Sequence, residues 1–117
     1  MDQSERTQAL RRRTKQFAGA VVRLYVNLDK RREEIVILGK QLLRSGTSVG
    51  ANYREASRSR SGAEFIAKIE LCAQEADETQ YWLELLNEDC GISKTQTQPI
   101  WEEADELIRI FITMSQN

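Results

Sequence analysis

The sequence predicts an all-α protein, a single domain over residues 1–117 folded as an antiparallel up-down-up-down four-helix bundle. Three observations carry this. Apolar residues recur at alternating spacings of three and four, the seam of bundles and coiled coils. No segment alternates apolar and polar residues with period two, so no strands are expected. With 117 residues, 40 % hydrophobic and 30 % charged, the chain has the size of one domain and the composition of amphipathic helices with solvated outer faces.

The first helix carries its seam at Leu10, Thr14, Phe17, Val21, Leu24 and Leu28. Asn27-Leu28-Asp29 marks its end, and Asp29 is expected to cap the second helix. The second seam reads Ile35, Leu38, Leu42, Val49, Tyr53 and Ala56, with Ser45 or Gly46 in the intervening place. The centre of this helix, Arg44 to Ala56, is rich in small residues. Gly46 and Gly50 each cost roughly 1 kcal/mol relative to alanine in a helix interior. That cost is tolerable where another backbone must come close, so the stretch reads as a helix-contact surface rather than a loop. Added bulk at Gly50 is expected to push neighbouring backbones apart.

Ser57 to Gly62 is a polar break, and Ser61-Gly62-Ala63-Glu64 fits a capping box. The third seam runs Phe65, Ile69, Cys72, Ala76, Thr79, Leu83 and Leu86, and Gly91 suits a left-handed C-cap. This helix would span about 28 residues, or roughly 42 Å, leaving surface that a partner could cover. Ser93 to Gln98 reads as a short polar loop, with Pro99 in the first turn of the last helix. The last seam is Ile100, Ala104, Leu107, Phe111 and Met114. Short connections make sequential helices antiparallel neighbours.

Val22, Tyr25, Ile66, Tyr81, Trp82, Leu85 and Trp101 lie off the strict seam. They either widen the core stripe or form an interface patch. The residues assigned to oligomer or helix contacts are Gly46, Gly50, Ala51, Tyr53, Tyr81, Trp82 and Trp101.

The net charge of −1 conceals a separation. Residues 1–62 hold 14 Lys+Arg against six Asp+Glu, net +8; residues 63–117 hold three against 12, net −9. Basic and acidic helices can attract within one bundle, though surface pairs contribute only about 0–1 kcal/mol each. The basic face of one copy can also meet the acidic face of the next, a heterologous contact that closes into a ring when the rotation permits. A third reading places RNA or DNA on the basic face. Arg11, Arg12, Arg13, Lys15, Arg44, Arg54, Arg58 and Arg60 are the candidate nucleic-acid-binding residues. No aromatic residues interleave with them to stack bases.

Histidine is absent, which removes the commonest general base and metal ligand. Neither a phosphate loop nor a dinucleotide fingerprint is present, and the two cysteines lack zinc spacing. No catalytic residue, metal site or cofactor is assigned, and no enzyme is expected. Cys72 and Cys90 on one helix would sit roughly 27 Å apart, too far for a disulfide. No apolar run approaches a membrane span, and Arg23 interrupts the only segment resembling a signal peptide, so a cytoplasmic protein is expected.

The block from Gly39 to Leu86 carries a resemblance. Its residues are the run Gln41-Leu42-Leu43-Arg44-Ser45-Gly46-Thr47-Ser48-Val49-Gly50-Ala51-Asn52, then Arg54-Glu55-Ala56, Ser61 and Glu64-Phe65. A later run from Glu75 to Leu86 contains Thr79-Gln80-Tyr81-Trp82-Leu83. These residues resemble the bacterial four helix bundle protein family, which includes proteins encoded by intervening sequences in 23S ribosomal RNA genes. They are also similar to the accessory variability determinant proteins of diversity-generating retroelements. The resemblance implies a four-helix protomer without an active site and, in several relatives, a pentameric ring. It further implies a reverse transcriptase and nucleic acid as partners for the retroelement relatives, whose rings are strongly basic; this chain departs by being slightly acidic overall. The expected function is a non-enzymatic, self-assembling helical module, a homopentameric ring. The alternative is a nucleic-acid-binding accessory protein using the basic first and second helices.

Overall fold

The structure, a computed structural model, describes residues 1–116. Four helices follow one another: α1 (Gln3–Val26), α2 (Glu33–Ala56), α3 (Gly62–Cys90) and α4 (Lys94–Ser115). Among the described residues there is no strand. Contacts join α1 to α2, α2 to α3, α3 to α4 and, most sparsely, α4 back to α1. The helices therefore form a square in which α1 and α2 make one layer and α3 and α4 the other.

The seam positions become the core. Val21, Leu42, Val49, Ile69, Cys72, Ala76, Leu86, Ala104, Leu107 and Phe111 are fully buried. Leu10, Leu38, Phe65 and Met114, also on the predicted seam, are only half-buried. Leu10 and Met114 line a cleft of about 380 Å³ between α1 and α4, at the edge where those helices touch least.

The α1–α2 register is written in glycines. A Cβ on Gly39 would stand 2.9 Å from Leu28 Cδ1, and one on Gly46 2.7 Å from Val21 Cγ2. Their missing side chains let α1 lie close against α2. At Gly50 the nearest atoms, in Thr14, are 3.4 Å from the same point, an ordinary contact distance. The small-residue stretch is thus a helix-contact surface within the protomer, tight at Gly46 and roomier at Gly50 than the sequence suggested.

Polar groups fix the other seams. Thr79 Oγ1 donates to the Glu75 carbonyl at 2.8 Å and shares a hydrogen bond with Ser45 Oγ at 2.9 Å, satisfying a buried polar pair between α2 and α3. Gln80 donates from α3 to the Trp101 carbonyl of α4. Tyr53 and Phe111 meet across the core with ring centroids 6.2 Å apart.

Helix ends depart from expectation in three places. Asp29 does not cap α2; its carboxylate is taken by the amide and guanidinium of Arg31, which hold it down to about 2. Arg32 occupies the cap position with no side-chain capping bond, and Glu33 and Glu34 supply negative charge to the first turn instead. The Ser61 capping box is half formed: Ser61 Oγ accepts from the Glu64 amide, while Glu64 accepts from the Arg60 amide. The segment Ser93–Gln98 is not a loop. Helix α4 begins at Lys94, because burial of Thr97, 3 % exposed, draws this turn onto the bundle. Pro99 consequently lies past the first turn, and the Thr95 carbonyl it cannot donate to sits at a solvent-exposed position where water can reach it.

Two ends rely on side chains the periodicity does not single out. Asp2 and Glu5 close a capping box on α1. At the other end of α1, Lys30 Nζ donates to the carbonyls of Tyr25, Val26 and Leu28 and lies 4.5 Å from the Tyr25 ring. Gly91 takes the left-handed conformation, φ 79°, as predicted.

Candidate functional site

The eight basic candidates separate into three groups. Arg13 turns toward α4 and makes a fork to Glu103 at 2.6 and 2.8 Å, with Glu106 at 3.2 Å. The bond to Glu103, chiefly, raises its guanidinium above the ordinary arginine value. Arg44 turns toward α3 and pairs with Glu75 and Glu78. Both are spent on clasps between the basic and acidic layers. Arg12 is exposed on α1 and borders neither of the two basic hollows lined by the other five candidates.

The other five gather at one end of the α1–α2 layer. Arg11 and Lys15 of α1 and Arg54 of α2 surround a hollow of about 260 Å³. Its floor is small: Ala18, Thr47, Gly50 and Ala51. Arg54 also borders a second hollow, of about 440 Å³, with Arg58, Arg60 and Lys68. Glu55 and Glu64 are its only carboxylates; Glu55 pairs with Lys68 at 3.0 Å. None of the side-chain cations of Arg11, Lys15, Arg54, Arg58 and Arg60 pairs with a carboxylate among the described residues. Lys68 escaped sequence reasoning because it sits in the acidic half and reaches this surface only through the α2–α3 pairing.

The contact candidates divide as well. Gly46 and Tyr53 are buried inside the protomer. Trp82 and Trp101 are half-buried, their indole N–H groups donating to Glu78 and Glu84. Tyr81 is 53 % exposed and packs edge-on against Trp82, and Ala51 is exposed beside Gly50. Gly39, which the sequence reading passed over, could have been found: it precedes Gly46 by seven residues, two helical turns.

Among the described residues no group of three or more Cys, Asp or Glu could hold a metal ion, and no helix is long and apolar enough to cross a membrane. Cys72 and Cys90 are both buried free thiols on α3. Burial pushes the Cys72 thiol up to about 12, so it stays protonated and inert at neutral pH. Treating the folded protein with a disulfide-exchange reagent at pH 8 is expected to leave Cys72 unmodified until denaturant is added; rapid native labelling of that residue, read by peptide mass, would contradict its burial.

The fold and its surface define an antiparallel four-helix bundle with one basic and one acidic layer. The chain belongs to the 23S rRNA-intervening sequence protein family, whose model matches residues 6–113. No curated protein matches the chain. Among solved structures, it is similar to a protein of unknown function from the S23 ribosomal protein family of Bacteroides thetaiotaomicron VPI-5482. The two are 37 % identical with a TM-score of 0.83, over 92 % of this chain and 98 % of that one. Neither comparison names an activity.

Proposed function

We propose that the protein is a non-enzymatic module that self-associates, the basic α1–α2 layer of one copy meeting the acidic α3–α4 layer of the next. The observation that carries this is the placement of the two charged halves on opposite sides of the bundle. Among the described residues, Arg13 and Arg44 are the only side-chain cations of the basic half that pair with carboxylates of the acidic half. The remaining opposite charge faces outward.

Exposed apolar residues support the same reading. Val22, Val26 and Ile37 are 40, 65 and 54 % exposed, and all lie toward the α1–α2 turn. Arg23 and Lys40, exposed cations without ion partners among the described residues, share that end. Apolar area gives such a contact its affinity, and charge fixes its orientation. A heterologous contact of this kind closes into a ring where the rotation permits, and a homopentamer is the closure proposed. Native mass spectrometry at micromolar concentration is expected to show a discrete multiple of the 13.5 kDa protomer. A monomer alone would remove the proposal.

A second reading, nucleic-acid binding, is supported by the five unpaired cations gathered at the opposite end of the same layer. The two readings use different ends and do not compete for residues.

A further inference from the structure

We infer that the hollows joined by Arg54 form one track for a single-stranded phosphate chain, held by its backbone without reading its bases. This rests on the nucleic-acid reading above and names the site and the form of the ligand.

Like charges in excess repel one another, and a bound anion relieves that repulsion; the first hollow holds three cations and no carboxylate, the second four cations against Glu55 and Glu64. In the first hollow, cations approach from two helices over a floor of small side chains, so a phosphate can sit low between the Arg11 and Lys15 wall and the Arg54 wall. Arg54 then hands the chain to the second hollow, where Arg58 and Arg60 follow in the α2–α3 turn. Arginine forks suit phosphate oxygens in both places.

The rest of the surface says what is not recognised. No aromatic side chain lines either hollow, so no base can stack. The hydroxyls of Thr14 and Thr47 in the first hollow already donate to the carbonyls of Leu10 and Leu43, leaving no neutral donor aimed at a base edge. The track also turns from the α1–α2 groove to the α2–α3 corner, which a flexible strand can follow and a stiff duplex cannot.

The test is fluorescence anisotropy with labelled 15-nucleotide oligo-dT and oligo-dC on the full chain, in 50 to 200 mM salt. If the track engages three to five phosphates, log K falls against log salt with a slope of about −2 to −3.5. Both oligonucleotides bind within about twofold of each other. The pair Lys15→Gln and Arg54→Gln together flattens the slope by about 1.4, whereas Arg12→Gln changes nothing. Circular dichroism confirms that each variant is folded. No binding by the native chain would overturn the nucleic-acid reading itself. A double variant that binds with unchanged affinity and an unchanged salt slope would overturn the track and leave that reading standing. A strong preference between the two oligonucleotides would overturn backbone-only recognition. A double variant that changes the sedimenting mass and not the affinity would assign the hollow to a second copy's carboxylates, and the track would fall.

Discussion

Alanine in place of Gly46 is expected to destabilise the protein, whereas alanine in place of Gly50 is expected to stabilise it. Both sites are helical, and both gain roughly 1 kcal/mol of helix propensity on the change. They differ in what the new methyl group meets. At Gly46 it would stand 2.7 and 2.8 Å from the two γ-carbons of Val21, a side chain with no exposure. Either α1 retreats or Val21 leaves its rotamer, and overpacking of this kind costs about 1–3 kcal/mol. At Gly50 the nearest atoms lie at 3.4 Å, so the methyl fits. Urea unfolding midpoints, compared at constant m-value, read the two signs directly. Leucine at Gly46 goes further: its branched end has no space on the α1 side, and α1 is expected to detach. Equal midpoints for Gly46→Ala and Gly50→Ala would show that the close approach of α1 to α2 does not depend on the missing side chain.

Truncating Phe111 to alanine is the second large effect. Phe111 is fully buried and reaches across the core to the Tyr53 ring. It lies on α4, whose contact with α1 is the sparsest of the four helix pairings, so few other groups can close the space it leaves. Removal of a buried phenylalanine side chain costs about 3–5 kcal/mol. For a domain of this size that is a fall in Tm of at least about 10 °C. Phe111→Leu, which keeps most of the volume, is expected to lose less than about 1.5 kcal/mol. A Phe111→Ala variant melting within a few degrees of the native protein would mean that α4 is held by its polar clasps, Arg13–Glu103 and Gln80–Trp101, rather than by packing.

The seam was legible because each buried position obeys a helix period that sequence states directly. Thr14, Thr79 and Ala104 fell on it despite weak apolar character, and all three are buried. Helix ends were less legible, because they are decided by partners distant in sequence. Nothing near Pro99 says that Thr97 will be drawn into the core and lengthen α4 backward. Nothing near Asp29 says that Arg31 will claim its carboxylate. The candidate site shows the same limit. Composition located the basic half, but only the packing of α1 against α2 and α4 separates Arg13, which is clasped, from Arg11 and Lys15, which are open. Adjacent arginines on one helix point about 100° apart, so a cluster in sequence becomes three different surfaces.

The account turns on the basic layer of one copy resting on the acidic layer of another. Zero-length carbodiimide cross-linking of an equal mixture of isotopically light and heavy protein tests this most directly, because it joins a lysine only to a carboxylate it already touches. Light–heavy peptide pairs linking Lys40 on α2 to carboxylates of α3 or α4 are expected. Links confined to one isotope, such as Lys68 to Glu55 within a single chain, would contradict this contact between copies.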